Sequence, residues 1–308
     1  MSIARSLLLK AAESNWLADQ MSRRSFSRRA IRKFMPGEEL ADAIGAAATL
    51  QGQGMGTLFT RLGEGLTKLS DAEAVRDHYL GVFDQLAARK LKTWVSIKPT
   101  QLGLDLSGDK CLDYLHALAA KAVSTGSSLW IDMEDSSYVD RTLDLYRDLK
   151  AKHGPIGLAI QSYLFRTPKD IETLLPLKPW IRLVKGAYAE PASVAVPVKR
   201  DNDLAFYDLS LKLLEGVKAF GGLPVFGTHD IGLLQRIVGA AKERGIKQGQ
   251  YEIHMLYGIQ SAAQRDFVAQ GETVKVLVSY GHAWFKWYMR RLAERPANVM
   301  FVVKSMVS

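Results

Sequence analysis

GLAIQSYLFRTPKDIETLLPLKPWIRLVK, from Gly157 to Lys185, places two short apolar runs on either side of a segment with helical spacing. Gly157 to Gln161 and Ile181 to Lys185 are too short for buried helices and read as strands, while Pro168 to Leu175 reads as the helix between them. A strand, a helix and a second strand joined in this way form a parallel βα unit. Within the second strand Arg182 and Val184 face one side, Leu183 and Lys185 the other.

The same rhythm extends in both directions. Strands are expected at Gly56 to Leu62, Trp94 to Lys98, Leu129 to Met133, Pro224 to Thr228, Tyr251 to Met255 and Val274 to Val278. Helices are expected at Asp71 to Arg89, Lys110 to Ser124, Tyr138 to Lys152, Asp201 to Phe220, Ile231 to Arg244 and Ser261 to Gln270. Eight strands with intervening helices in about 250 residues match a (β/α)8 barrel. A doubly wound nucleotide-binding sheet would declare itself by a GxGxxG turn after its first strand. QGQGMG, Gln51 to Gly56, has the wrong spacing, and no GxxxxGK[ST] loop occurs, so any dinucleotide must be held in another way.

The chain has 308 residues, 47% of them hydrophobic and 24% charged, as in a soluble globular protein. Residues 1–45 read as an N-terminal helical segment broken at Met35-Pro36-Gly37, and residues 46–308 as the barrel. The single cysteine, Cys111, excludes an intramolecular disulfide and fits a reducing cytoplasm. No apolar run is long enough to span a bilayer. The net charge of +9 favours anionic surfaces, and RRSFSRRAIRKF, Arg23 to Phe34, carries much of it. That segment reads more readily as a solvated helix than as a membrane-surface helix, and no zinc-finger, RNA-binding or helix-turn-helix signature points to nucleic acid.

Active sites of this fold lie at the C-terminal ends of the strands. Those ends read Lys98, Asp132 with Glu134, Gln161, Lys185 after Arg182, His229 after Thr228, and His254 after Glu252. Asp132 and Glu134, two apart on an extended strand, are expected on one side, where they neutralise nearby cations. Metal binding by Asp132, Glu134, His229 and His254 is the weaker reading, because no HxH or HExxH spacing accompanies them. Gly186 permits close backbone approach to an anion. A Schiff-base lysine at Lys98 or Lys185 would instead make a lyase.

The last informative stretch is YGHAWFKWYMRRLAERPAN, Tyr280 to Asn298. A helix opened at Gly281 and closed before Pro296 aligns Trp284, Trp287, Tyr288 and Arg291, and sets Arg290 four residues before Glu294. Paired guanidiniums beside aromatic faces make a receptor for a small carboxylate. An amphipathic helix with a basic last turn is the plainer alternative.

Together, LGEGLT (Leu62 to Thr67), SIKPTQLGL (Ser96 to Leu104), DMEDS (Asp132 to Ser136), AIQSY (Ala159 to Tyr163), RLVKGAYAE (Arg182 to Glu190), GTHD (Gly227 to Asp230), YEIHMLYGI (Tyr251 to Ile259) and the terminal helix resemble the proline dehydrogenase family. That family includes the catalytic domain of the bifunctional proline utilisation A proteins. The resemblance covers roughly residues 50–303 and implies a distorted (β/α)8 TIM-like barrel with N-terminal helices, carrying FAD without a Rossmann turn. It implies oxidation of L-proline to Δ1-pyrroline-5-carboxylate by hydride transfer from C5 to flavin N5, with electrons passed to a quinone at a membrane surface. It also implies that Lys98, Arg290 and Arg291 bind the substrate carboxylate, that Asp132 and Glu294 fix those cations, and that Leu256 packs over the substrate ring. Arg182 is implied beside flavin N5 and Gln161 on the isoalloxazine edge. Val184, Lys185, Gly186, Ala187 and Tyr188, with Thr228, His229, Asp230 and His254, are implied to line the cofactor. No metal is implied.

The chain departs from the family pattern at several positions. His254 stands where glutamine is common, Asp230 where asparagine is usual, and Pro99 where leucine is common. Leu277 and Trp287 replace tyrosines that border the proline ring, which makes that wall more apolar and leaves hydroxyproline or another cyclic amino acid as the alternative substrate.

Overall fold

The computed structural model describes residues 31–294, apart from Glu64 and the side chains of Arg290, Ala293 and Glu294. Most of the basic segment Arg23 to Phe34, the helix stop at Pro296 and the side chains of Arg290 and Glu294, expected at the substrate, lie outside what is described. The elements follow in order as α1 (Leu40–Gly52), β1 (Gly56–Arg61), α2 (Leu69–Ala88), β2 (Thr93–Ile97), α3 (Gly108–Ser124), β3 (Leu129–Ile131), α4 (Val139–Lys152) and β4 (Ile156–Gln161). Then come α5 (Thr167–Leu174), β5 (Trp180–Val184), α6 (Lys199–Phe220), β6 (Leu223–Gly227), α7 (Ile231–Glu243), β7 (Glu252–Leu256), α8 (Ser261–Ala269), β8 (Val274–Tyr280) and α9 (Trp284–Glu294). Each expected strand is present, with its ends displaced by no more than about two residues, as boundaries of this kind commonly are.

All neighbouring strands are parallel, and β8 pairs back onto β1 from Gly56↔Lys275 to Arg61↔Tyr280, so the barrel is closed and has no edge. Inward and outward positions alternate along each strand. Leu58, Trp94, Trp130, Trp180, Leu223, Val225 and Leu277 pack together inside, whereas Phe59, Val95, Ile131, Leu183 and Phe226 face the helices. On α2, Tyr79, Val82, Phe83 and Leu86 form a stripe with helical spacing that is fully shielded from solvent, each such burial contributing about 1.5–3 kcal/mol.

Three indoles fill the barrel floor. Trp94 stacks on Trp130 with ring centroids 5.7 Å apart, and Trp180 lies 5.5 Å from Trp94. Room for Trp130 comes from its register partner Gly157, since a Cβ there would fall 2.2 Å from the indole. Backbone and ring are thus in direct contact where any side chain would intrude.

At the other end of the chain, α9 begins at Trp284 rather than Gly281, whose φ of +112° is not helical. Its aromatic side chains divide between two faces. Trp284, Phe285, Tyr288, Met289 and Leu292 bury themselves against Ile31, Phe34 and Met35, with Trp284 Nε1 donating to Glu38 at 2.7 Å. Trp287, partly buried at the edge of that cluster, also reaches the mouth of the barrel. The segment around Lys33 also abuts the β7–α8 loop, where a Cβ on Gly258 would lie 1.6 Å from the Lys33 carbonyl oxygen.

Gly157→Ala is expected to lower unfolding stability by about 1–3 kcal/mol, the usual cost of overpacking a filled core. Urea unfolding measures this, and adding Trp130→Phe should recover part of the loss.

Candidate active site

The inner face of β5 brings Arg182 into the barrel at 5% exposure. A cation there is costly unless paired. Its Nη2 donates to Asp132, at the end of β3, and to Ser96 Oγ on β2 at 2.9 Å, while Ser96 Oγ lies 2.9 Å from Asp132 Oδ1. The guanidinium also stands 5.2 Å from the Trp130 ring centroid. Burial lowers the Arg182 pKa from its ordinary value, and the Asp132 charge opposes that shift.

Asp132 and Glu134 do not share a direction. Strand β3 ends at Ile131, so the expected alternation stops before either carboxylate. Asp132 turns to Arg182, whereas Glu134 accepts from the Thr100 amide at 3.2 Å and the Thr100 hydroxyl at 2.8 Å. Burial raises the Glu134 pKa, against the influence of Lys98 and those two bonds. Gln161 Nε2 donates to the Glu134 carbonyl at 2.8 Å, leaving the buried Gln161 Oε1 with no described partner.

A cavity of about 100 Å³ opens beside this pair, lined by Lys98, Gln101, Asp132, Leu277, Ala283 and Trp287 among others. Arg291, one turn beyond Trp287, carries its guanidinium 5.9 Å from the Trp287 ring centroid. A cation, a carboxylate and an apolar wall therefore meet in one small space. A larger hollow of about 310 Å³ lies between α7 and α8 against Ile231, Gln235, Asp266 and Phe267, but it has no basic lining residue and sits outside the barrel. The smaller cavity is the chemically equipped one.

Lys185 leaves the end of β5 on the opposite side from Arg182. Its ammonium donates to Asp203 at 2.5 Å and Asp230 at 3.1 Å, and its carbonyl accepts from Asn202 at 3.0 Å. Burial raises the pKa values of Asp203 and Asp230, yet Lys185, joined by Lys199 at Asp203 and by the Leu233 amide at Asp230, outweighs it and holds both below the usual carboxylate value. Asp230 also caps α7 by accepting from the Leu233 amide at 3.2 Å, and the Asp230 amide reaches Thr228 Oγ1 at 3.3 Å. His229 Nε2 accepts from the Leu256 amide at 2.9 Å. Gly186, with φ +103°, lies against the Tyr163 ring, where a Cβ would come within 2.4 Å. Ala187 and Tyr188 follow it and, like Val184, are half-buried.

His254 and Glu252 are not mouth residues. Glu252 opens β7 and His254 is its middle residue, so both lie inside the barrel, where Glu252 binds His254 Nε2 at 2.9 Å and Lys275 at 2.6 Å. Among the described residues no three His, Cys, Asp or Glu side chains converge on a metal-sized space. Sequence reading also missed Ser96, Gln101, Asp203 and Glu190, the last of which accepts from the Ser136 amide and hydroxyl at 2.7 and 2.6 Å. Strand alternation alone could have found Ser96, two positions before Lys98.

A closed parallel barrel whose strand ends bring a buried guanidinium–carboxylate pair beside a cavity lined by a lysine and apolar side chains has the build of a barrel enzyme with its site at that end. The family model for proline dehydrogenase matches residues 43–304. Proline dehydrogenase 1 of Bacillus subtilis subsp. natto is 36% identical over 91% of this chain and 92% of its own length. Proline dehydrogenase of Deinococcus radiodurans is 34% identical over 98% and 97%. Among solved structures, proline utilization A from Bdellovibrio bacteriovorus inactivated by N-propargylglycine shares the fold with a TM-score of 0.81 at 21% identity, covering 93% of this chain and 38% of that one. The chain belongs to the proline dehydrogenase family and is an oxidoreductase of proline catabolism.

Burial depresses the pKa of His254 to about 4, from an unfolded value near 6.5. The unfolded state then binds the extra proton, so this contribution to stability is complete above pH 6.5 and is lost as pH falls towards 4. His78, also pushed down to about 4 by burial and by Arg61, acts in the same window. His254→Gln should reduce the slope of unfolding free energy against pH between 4 and 6.5 by up to one proton's worth, measured by urea unfolding across that range.

Proposed function

We propose that this chain oxidises L-proline to Δ1-pyrroline-5-carboxylate with FAD as its cofactor and passes the electrons to a quinone. The observation that carries the reading is the meeting, in one cavity, of Lys98 and Asp132 with the apolar wall of Leu277 and Trp287. Bound FAD would supply the redox chemistry by taking the hydride from C5 at its N5. The residues present suit such a group, because Arg182 Nη1 and Gln161 Oε1 are a buried donor and acceptor without described partners. A polar ring edge would accept from Arg182, and a second donor of the same cofactor, such as a ribityl hydroxyl, would satisfy Gln161.

Arg182 and Gln161 would hold the ring system, with Val184, Gly186, Ala187 and Tyr188 along one side and Thr228, His229 and Asp230 along another. Lys185, braced by Asp203 and Asp230, offers a fixed ammonium for the phosphates. On the substrate side, Lys98, Arg290 and Arg291 bind the carboxylate, with Asp132 and Glu294 setting the cations. Leu256, Leu277 and Trp287 exclude water from the ring. Binding energy from the remote carboxylate thereby holds the reacting carbon in place.

The apolar wall left by Leu277 and Trp287 keeps a second reading in view, oxidation of hydroxyproline or another cyclic amino acid. A Schiff-base lyase is disfavoured at Lys185, whose ammonium is engaged by two carboxylates. We further place residues 1–45 as a helical segment packed on the barrel, since Ile31, Phe34 and Met35 already rest on α9. A cytoplasmic protein with peripheral contact to an anionic membrane accords with the net charge of +9, and no described helix is long and apolar enough to cross a membrane.

A visible spectrum of the purified protein tests the cofactor. An oxidised-flavin band bleached by L-proline faster than by hydroxyproline is expected; a protein that stays colourless after incubation with FAD refutes the proposal, and the reverse order of substrates favours the second reading. Arg291→Met should raise KM for proline about ten- to a hundredfold while flavin stays bound, the cost of one charged hydrogen-bonding partner. Unchanged steady-state kinetics would remove Arg291 from the carboxylate site.

A further inference from the structure

Inside the barrel His254, implied to line the cofactor, belongs to a second charged assembly whose other members, Glu252 and Lys275, have no role in the proposed reaction. Lys275 on β8 donates to Glu252 Oε1 at 2.6 Å, and His254 Nε2 lies 2.9 Å from Glu252 Oε2. Glu252 and His254 are 7% and 3% exposed, and the Lys275 ammonium stands 3.5 Å from the Trp94 ring centroid. Trp94 and Trp130 flank the imidazole at 6.1 and 5.5 Å. Aromatic packing therefore leaves the carboxylate as the described partner of Nε2.

That arrangement selects one tautomer. Burial raises the Glu252 pKa, but His254 and Lys275 together outweigh it, so the carboxylate is charged. A carboxylate only accepts, which places the ring hydrogen on Nε2. The imidazole, held near pKa 4 by burial, is neutral at pH 7, so its Nδ1 bears a lone pair. This buried Nδ1 has no described hydrogen-bond partner, and neither has Arg182 Nη1. The two groups border the same indole, with Arg182 Cζ at 5.2 Å and the His254 ring at 5.5 Å from the Trp130 centroid.

We propose that Glu252 is a positioning residue that locks His254 in its Nε2–H form, so that the bare Nδ1 and the N–H of Arg182 Nη1 together receive a group carrying an N–H beside a carbonyl, the imide edge of a flavin ring. The inference rests on the FAD reading above. An imidazole, unlike the glutamine that is usual at this position, carries a mobile hydrogen and needs a neighbour to decide where it sits. Glu252 makes that decision, and Lys275 keeps Glu252 charged.

The test uses full-length protein labelled with 15N at histidine, with and without FAD at pH 7. Wild type should show an unprotonated Nδ1 and a protonated Nε2 for His254, with Nδ1 shifting when FAD is added. Glu252→Gln should give a mixture of tautomers and about tenfold weaker FAD binding, the equivalent of one hydrogen bond. Should the unpaired Lys275 prevent folding, Glu252→Gln combined with Lys275→Met keeps the site neutral and is expected to behave the same way. A protonated Nδ1 in wild type that binds FAD normally, or a tautomer unmoved by either variant, overturns the role of Glu252 and leaves the FAD reading intact. Wild type that binds no FAD overturns both.

Discussion

A guanidinium inside a barrel must meet its counter-charge there or not be there at all, and Arg182 meets Asp132. The pair crosses from β5 to β3, with Ser96 of β2 bonded to both partners and the Trp130 face alongside. Desolvation makes such a pair a poor source of net stability. Its value lies in geometry. Three strands are referred to one another by directional bonds, and one guanidinium nitrogen is left over to act on whatever occupies the mouth.

The rest of the interior follows from that placement. Below the pair, space is closed by indoles, and the closest contact is possible because Gly157 has no side chain. Above it, the strands end in groups that either line a cavity or support those that do. Glu134 orients the Thr100 turn next to Lys98, and Asp203 and Asp230 brace Lys185. The C-terminal helix joins the two levels: its apolar face seals against residues 31–35, and Trp287 is thereby held against the cavity.

Much of this was legible along the chain because a parallel barrel repeats a local signal. Every strand is a short apolar run, and its last residues point to a common mouth, so Lys98, Asp132 and Arg182 could be grouped before any coordinates. The same rule failed where it was carried past the end of regular structure. Glu134 lies beyond β3, where alternation no longer applies, and Glu252 sits at the start of β7 rather than its end. Ser96 and Asp203 escaped notice because their importance comes from partners 36 and 18 residues away.

Periodicity, turn residues and an ordered series of motifs determined the fold, the family and the set of side chains that could do chemistry, since each depends on residues close together in sequence. Which carboxylate neutralises which cation was decided by tertiary structure. So was the division of the aromatic helix into a sealing face and a cavity face, and the burial that leaves His254 neutral with one nitrogen bare. Those outcomes depend on distances across the barrel and on the exclusion of water, and both arise when the eighth strand closes on the first.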